Sequence, residues 1–400
     1  MFVEYEFCFR HRLDIGGSNK GPIDMEMNRR SLVAGAAGMI ALSQAPMALA
    51  KATKPKDWFS KAIVIDGLSS FSDPYAPEEQ MRLSDQLKNE LRQNGTTAIN
   101  ITIGGVGNDT NVWDQGIDFI KNFDAAIAAN PDFLVKIQKA ADIGMAKAQG
   151  KFGLIYGTQD SSMVGTALDR LAELKAKGVR IVQLTYNLRN LSGDGALEGD
   201  NAGLSKLGHA TIKRIEAEKL LLDLSHGGAK TIEQAIASAT RPLSINHTGC
   251  RDVFDHPRNI YDSAMRGIAA KGGVIGIYFM PFLAAGSKPT RDDLISHINH
   301  ARNICGEDHV SLGTDGNQLP IPINEETWKR ARETHEYRSA NGFAAPGEGA
   351  DILTIVHDYN RLDRFHALAD DLAKAGWTQK QLEKLLGGNL MRLYSDVWGA

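Results

Sequence analysis

The sequence predicts an α/β fold of the (β/α)8 class, a TIM-type barrel, because strand-like runs alternate regularly with stretches patterned as helices. Eight short apolar runs follow one another along the chain: 62–68, 97–104, 152–158, 180–186, 220–226, 243–248, 274–279 and 310–314. Helix-length segments with one apolar stripe separate them: 77–93, 131–149, 163–177, 204–219, 228–240, 259–271 and 290–305. A chain of 400 residues that is 42% hydrophobic can bury a core of this size.

The region after the last predicted strand adds further elements to the barrel. Two helical patterns, 349–375 and 378–397, are expected to cover its side or bottom. The insertion 317–349 is rich in Pro, Gly and Glu and is long enough for a lid or a subunit contact. Because the sequence contains neither an internal repeat nor an interdomain linker, residues 51–400 are expected to form a single barrel domain.

The N-terminal residues 1–50 have the pattern of an export signal preceded by an extension. Adjacent Arg29 and Arg30 precede an uncharged Ala/Gly-rich stretch, which ends in the small-x-small sequence Ala48-Leu49-Ala50. This pattern predicts a twin-arginine-type signal and a periplasmic protein that begins near Lys51. No later segment has the roughly 20 apolar residues that a membrane span requires, so no stable membrane span is expected after signal removal.

The composition favours an enzyme that acts on a small molecule. A formal net charge of -3 gives no basic surface for a nucleic acid, which excludes the usual nucleic-acid-binding classes. Only Cys250 and Cys305 follow the predicted cleavage site, so a disulfide framework is excluded, although one bridge could form.

Two histidines, His226 and His247, end consecutive predicted strands. The carboxyl ends of parallel strands meet at one rim of a barrel, and a helix-length segment separates these two strands. The imidazoles should therefore lie close together. Imidazole is a common metal ligand, so metal-assisted chemistry is one hypothesis. A pair of hydrogen-bonded rim histidines explains the same placement equally well.

Longer motifs around these histidines carry a family resemblance. The blocks are Asp223-Leu224-Ser225-His226-Gly227, Asn246-His247-Thr248-Gly249 followed by Arg258-Asn259, Gly313-Thr314-Asp315-Gly316 and Gly387-Gly388-Asn389-Leu390-Met391-Arg392. In order and spacing the chain resembles the membrane (renal-type) dipeptidase family over about 62–397. That family comprises zinc metallopeptidases on an amidohydrolase-like barrel. The resemblance implies a two-zinc centre, a bridging carboxylate and a metal-activated water that attacks the amide bond of a dipeptide, and it suggests a homodimer.

The resemblance assigns a role to four retained residues. His226 and His247 match the histidines of the second metal site, and Asp315 matches the aspartate that transfers a proton to the leaving amine. Arg258 matches the arginine that binds the terminal carboxylate of the substrate, a task suited to its planar fork of donors. A surface ion pair is the alternative for Arg258, but its position eleven residues after His247 favours the substrate role.

The sequence also departs from the family at residues that the resemblance makes important. The His-x-Asp motif of the first strand, which provides ligands to the first metal, is replaced by Leu68 and Ser70. The bridging glutamate is replaced by Gln159, and the adjacent Asp160 would point to the opposite face of a strand. Tyr186 replaces a substrate-contacting histidine; its hydroxyl could stabilise a developing oxyanion, or the ring could simply pack at the rim.

These replacements predict one Zn²⁺ ion instead of two, because two dications bring four positive charges and Asp315 is the one carboxylate left at the matched ligand positions. His226 and His247 would hold this ion together with Gln159 or Asp315. The predicted function is the metal-dependent hydrolysis of a dipeptide, with Asp315 as acid/base and with Tyr186 and Arg258 orienting the substrate. Two alternatives remain open: hydrolysis of another small amide, such as an N-acyl or cyclic amide, and a binding protein that has lost the first metal.

Overall fold

The eight predicted strands form one parallel sheet in which each strand is hydrogen-bonded to the next along the chain. A computed structural model describes residues 57–77, 80–107 and 111–399. The barrel strands are β1 Ile65–Asp66, β2 Ala98–Thr102, β3 Phe152–Thr158, β4 Val179–Gln183, β5 Leu221–Asp223, β6 Ser244–Thr248, β7 Val274–Ile277 and β8 Val310–Leu312. Backbone hydrogen bonds from Gly67 N to Leu312 O (2.8 Å) and from Asp315 N to Leu68 O (2.9 Å) join β8 to the end of β1. The predicted (β/α)8 fold is therefore confirmed.

Helices cover the sheet between the strands and after the last one. The α-helices are α1 Asp57–Lys61, α2 Asp85–Asn94, α3 Val112–Ala129, α4 Ala140–Gln149, α5 Arg170–Ala176, α6 Lys206–Ala217, α7 Ala229–Ser238, α8 Asp262–Ala270, α9 Arg291–Cys305, α10 Glu325–Ala340, α11 Arg364–Lys374, α12 Gln379–Glu383 and α13 Asn389–Trp398. Three 3-10 turns, Pro281–Leu283, Ala285–Ser287 and His357–Tyr359, and one π-helical turn, Lys384–Gly388, complete the helical elements of the described ranges.

The amino-terminal end of the barrel is closed by α13. Its apolar side chains repeat at helical spacing and are buried with residues at or near the start of the strands, in a cluster that includes Leu390, Leu393, Tyr394, Val397, Ile65, Ala98, Ile181, Leu221 and Val274. Burying side chains of this size contributes about 1.5–3 kcal/mol each. The expectation that the C-terminal helices cover the barrel is confirmed. The carboxyl ends of the strands lie at the opposite end of the barrel.

Several helix boundaries differ from the sequence-based predictions. The pattern at 131–149 begins instead with a short strand, Leu134–Lys136, which pairs in parallel with β3 before α4 starts. The pattern at 163–177 is helical only in α5, because Gly165 adopts a left-handed φ of 56° that a continuous helix cannot contain. Within 349–375 only α11 and one 3-10 turn are helical, whereas the insertion 317–349 contains α10.

The predicted signal at 1–50 lies outside the described residues. Within the described ranges, no helix combines the length and the apolar character needed to cross a bilayer. Cys250 and Cys305 are buried free thiols, so the one possible disulfide bridge is absent.

Candidate metal site at the carboxyl ends of the strands

His226 and His247 lie side by side at the rim of the barrel, with exposed fractions of 5% and 0%. Their ring centroids are 4.9 Å apart and the ring planes meet at 63°. The carboxylate of Asp223 fixes the turn before His226, since it accepts hydrogen bonds from Ser225 N (2.9 Å) and from Asn246 N (3.1 Å) of the next strand. His226 itself has a φ of 62°, a left-handed conformation that is costly for a residue with a side chain and that often occurs at functional sites.

The position of His247 depends on an irregularity in β6. The register of β6 against β7 shifts between Ile245 and Thr248, and the carbonyl oxygen of Asn246 projects toward the neighbouring strands. Glycines make room for it: a Cβ atom at Gly276 or Gly313 would lie 1.9 or 2.0 Å from this oxygen. Gly276 and Gly313 therefore permit the bend of β6 at Asn246, the residue before His247.

Three of the four ring nitrogens of this histidine pair lack hydrogen-bond partners among the described residues. They are Nε2 of His226 and both Nδ1 and Nε2 of His247, all of them buried. An unsatisfied buried polar atom costs about 1–3 kcal/mol, so such a group in a native fold indicates a ligand, an ion or a water. Burial, together with the positive charge of Arg258, lowers the pKa of both histidines well below the usual range. Neutral imidazole is the form that binds a metal.

Asp315 completes a three-residue cluster that could hold a metal ion. One carboxylate oxygen of Asp315 and one nitrogen from each of His226 and His247 all lie within 4.8 Å of one another. Asp315 follows β8, and its φ of 56° is again left-handed. The sequence-predicted histidines and aspartate are thus brought together, and their nitrogen and oxygen donors suit zinc.

Arg258 is buried near this cluster, with an exposed fraction of 3%. Its backbone is fixed on both sides: the amide N–H donates to His256 Nδ1 (3.1 Å), and the carbonyl accepts from Thr248 Oγ1 (3.0 Å). The guanidinium carbon lies 5.9 Å from the ring centroid of Tyr278, and Nη2 is a buried donor without a partner in the described chain. A carboxylate is the natural ligand for such a group.

Tyr186 lies directly against His226. The two rings stack with centroids 4.1 Å apart and planes 23° apart. The tyrosine hydroxyl accepts a hydrogen bond from Nη1 of Arg338 (3.1 Å), a residue of α10. Nδ1 of His226 lies 2.6 Å from Oδ1 of Asn187. The sequence reasoning missed Arg338 and Asn187; the position of Asn187 beside Tyr186 at a strand exit was the one available signal.

The residues that replace the first-metal ligands have other contacts. Leu68 is buried, and its carbonyl oxygen accepts the backbone N–H of Asp315. Ser70 belongs to a two-residue strand, Ser69–Ser70, which pairs with Gly316–Asn317, and its hydroxyl lies 3.5 Å from Gly316 O. The end of β1 is therefore joined by hydrogen bonds to the loop that carries Asp315.

Gln159 and Asp160 have different surroundings although they are adjacent. The Gln159 side chain donates from Nε2 to Thr102 Oγ1 (2.9 Å), so its amide oxygen is the atom that could contact a cation. The Asp160 carboxylate accepts from Gly107 N (2.8 Å) and from Asn190 Nδ2 (2.6 Å). Asp160 therefore organises neighbouring loops and is a poor substitute for a bridging ligand.

The parallel barrel and its rim of histidine, aspartate and arginine define a hydrolase of the amidohydrolase-like class. The chain belongs to the membrane dipeptidase family (peptidase family M19), whose model matches residues 82–327. Membership of this metallopeptidase family implies a metal-dependent hydrolase.

Two proteins are similar to parts of this chain. The chain is 29% identical over 234 residues to an uncharacterized protein in the pqqA 5'region of Klebsiella pneumoniae, covering 56% of this chain and 74% of that protein. It is 23% identical over 285 residues to dipeptidase verJ of Clonostachys rogersoniana, covering 71% of this chain and 64% of that protein.

Solved structures share the fold. An amidohydrolase from Pseudomonas aeruginosa superposes with a TM-score of 0.74 at 29% identity, covering 87% of this chain and 100% of that one. A metallo peptidase from Rhodobacter sphaeroides, liganded with a phosphinate mimic of the dipeptide L-Ala-D-Ala, superposes with a TM-score of 0.67 at 17% identity, covering 84% and 100% of the two chains. The second likeness extends to the fold alone.

Proposed function

We propose that this protein hydrolyses dipeptides with a single zinc ion held by His226 and His247. The observation that carries the proposal is the set of buried, unpartnered nitrogens of these two side chains, which lie beside the carboxylate of Asp315. Neutral imidazoles without hydrogen-bond partners are preorganised for a cation. When a cation binds, their nitrogens gain a partner, which offsets the free-energy cost of burying them without hydrogen bonds.

A single ion fits the charge of the site better than two ions. Leu68 offers no donor, and Ser70 offers only a neutral hydroxyl near Gly316 O. The carboxylate of Asp66, close to them in sequence, accepts hydrogen bonds from both N and Oγ1 of Thr314. Gln159 can supply a neutral oxygen as a third ligand but no charge. With few carboxylates available to offset two dications, the second ion would be poorly held.

The bound zinc would lower the pKa of water and polarise the amide carbonyl. Asp315, which has a carboxylate oxygen within 4.8 Å of a nitrogen of each histidine, would take a proton from the attacking water and deliver it to the leaving amine. Arg258 would bind the terminal carboxylate through its unpartnered Nη2, and Tyr186 would donate a hydrogen bond to the oxygen that becomes negatively charged.

The choice of a dipeptide follows from the family and from the retained arginine. A dipeptide presents its carboxylate close to the bond that is cleaved, which suits a site with Arg258 and the histidine pair at the same rim. Dipeptidase verJ and the metallo peptidase liganded with a dipeptide mimic are relatives whose names agree with this choice.

The cellular setting is part of the same proposal. Residues 1–50 would direct export by the twin-arginine route, and residues 51–400 would act in the periplasm as a single barrel domain, in a homodimer like that suggested by the family resemblance. Size-exclusion chromatography with light scattering tests the dimer, and fractionation of cells that express the full chain tests the location.

Hydrolysis assays with zinc-loaded and chelator-treated protein test the activity. A panel of dipeptides, including L-Ala-D-Ala, is compared with N-acetylated amino acids and cyclic dipeptides. Zinc-dependent cleavage of dipeptides is the expected result. Cleavage of only the N-acyl or cyclic amides would identify those amides as the substrate class. Bound zinc without turnover of any compound would indicate a binding protein.

A further inference from the structure

Arg338 reaches the candidate metal site from the end of α10, inside the insertion 317–349, and its exposed fraction is only 6%. A bidentate ion pair with Glu348 holds the guanidinium, with Nε–Oε2 and Nη2–Oε1 distances of 2.6 and 2.8 Å. Glu348 is itself fixed, because Oε1 also accepts from Ala345 N (2.9 Å). A buried bidentate pair sets the plane of the arginine and so the direction of its remaining donors.

One of those donors connects Arg338 to Tyr186. Nη1 donates to the tyrosine hydroxyl oxygen at 3.1 Å, and the tyrosine ring stacks on His226. The ring of Tyr186 also contacts that of Phe343, whose centroid lies 6.1 Å away in a T-shaped arrangement. Since the hydroxyl oxygen accepts from Arg338, the hydroxyl hydrogen points away from the guanidinium.

A second connection reaches His226 through a backbone carbonyl. Nη2 of Arg338 donates to Phe343 O (3.1 Å), and the same oxygen accepts from Nδ2 of Asn187 (2.7 Å). This contact determines which end of the Asn187 amide faces His226, because only the nitrogen end can donate to a carbonyl. Oδ1 of Asn187 therefore accepts from Nδ1 of His226 at 2.6 Å. The imidazole hydrogen lies on Nδ1, and Nε2 keeps the lone pair that a metal needs.

We propose that Arg338 is a positioning residue of this site: it orients Tyr186 directly and, through the Phe343 carbonyl and Asn187, it fixes the tautomer of His226. The proposal rests on the proposed function because it treats His226 as a metal ligand. The tautomer, however, is a property of the protein without metal. Through Arg338, the insertion 317–349 thereby contributes to the arrangement of the site.

The test is to measure the His226 tautomer by 15N NMR of the metal-free protein, together with its zinc affinity by calorimetry. Because R338M alone leaves the Glu348 charge buried, the main variant is the charge-balanced R338M/E348Q. We expect the wild type to hold His226 in one Nδ1–H tautomer and the double variant to show a mixture. Zinc affinity should fall by roughly 10- to 100-fold, the usual effect of losing a group that orients a ligand.

Two further variants separate this role from general damage. N187A keeps the Arg338 contact with Tyr186 but removes the acceptor for His226, so it should also release the tautomer and weaken zinc binding. R332M changes an arginine of the same helix whose pair with Glu325 is exposed, and it should match the wild type. An unchanged His226 tautomer in either R338M/E348Q or N187A would overturn the proposal. If the wild type bound no zinc, the proposed function would fail, while the NMR result would still decide the role of Arg338.

Discussion

The ring of His247 lies edge-on to that of His226, with centroids 4.9 Å apart, and neither ring satisfies the other by a hydrogen bond. Two buried imidazoles with lowered pKa values in this arrangement are poorly explained as a structural pair. The alternative compatible with the sequence was a pair of structural histidines whose ring nitrogens form hydrogen bonds. Neither ring nitrogen of His247 has a hydrogen-bond partner among the described residues.

Replacing His247 by alanine should remove zinc binding, since one of the two proposed imidazole ligands is lost. We expect dipeptide hydrolysis to fall by at least about 100-fold, because metal activation of water is lost with the ion. Zinc titration and initial rates measure both effects. The control is H209A, which changes an exposed histidine hydrogen-bonded to Ser238. Unchanged hydrolysis in H247A would contradict the proposed metal site.

Replacing Arg258 by methionine should weaken substrate binding more than turnover. Losing a charged hydrogen bond to a carboxylate costs about 1.5–3 kcal/mol, so kcat/KM should fall roughly 10- to 100-fold, mainly through KM. A lysine should restore little of this loss, because a single ammonium cannot form the bidentate contact.

The substrate itself gives the control for Arg258. Wild-type protein should prefer a dipeptide over the same dipeptide with an amidated C-terminus, and R258M should lose that preference. R266M, at an exposed arginine of α8, should keep it. If R258M still preferred the free dipeptide over the amidated one, the substrate carboxylate would bind to a residue other than Arg258.

Replacing Asp315 by asparagine separates proton transfer from metal ligation. As the acid/base, Asp315 should contribute about 100- to 10,000-fold to turnover, so D315N should lose that factor in kcat while zinc affinity changes only a few-fold. Parallel calorimetry and kinetics measure the two quantities. A large loss of zinc affinity in D315N would make Asp315 a ligand and would leave the proton transfer to another group.

Much of the site could be predicted because parallel strands end at one rim. The positions of His226 and His247 after consecutive strands were enough to expect them together, and the cluster with Asp315 agrees with that expectation. The bend of β6 at Asn246 could not be predicted, since it depends on missing side chains at Gly276 and Gly313 in other strands.

Arg338 was missed for a different reason. Its contact with Tyr186 depends on the path that the insertion 317–349 takes across the rim of the barrel. No periodic pattern in the sequence determines the path of such an insertion. The short strand Leu134–Lys136 was missed because only its pairing with β3 distinguishes it from the start of a helix.

Acidification should destabilise the fold through His297, a fully buried residue of α9. Its Nδ1 accepts from Cys250 N (2.9 Å) and its Nε2 donates to Leu283 O (2.9 Å), which requires the neutral ring. Burial lowers the pKa of His297 to about 4, against about 6.5 in an unfolded chain. Below pH 6.5 the unfolded state gains a proton that the folded state does not, so stability falls until about pH 4.

The size of this effect is roughly 3 kcal/mol over the whole range. It can be measured as the change in the free energy of unfolding between pH 7.5 and pH 4, compared with H297N, whose side-chain oxygen keeps an acceptor for Cys250 N. The variant should lose less stability on acidification than the wild type. Equal losses in the two proteins would show that His297 does not titrate in this way.

The number of zinc ions per chain tests the central claim most directly. Elemental analysis of protein equilibrated with zinc and then dialysed should give about one ion per chain. The variant L68H/S70D/Q159E, which restores donors at the three replaced positions, should approach two. A wild-type chain that binds two ions, or none, would contradict a single zinc site formed by His226 and His247.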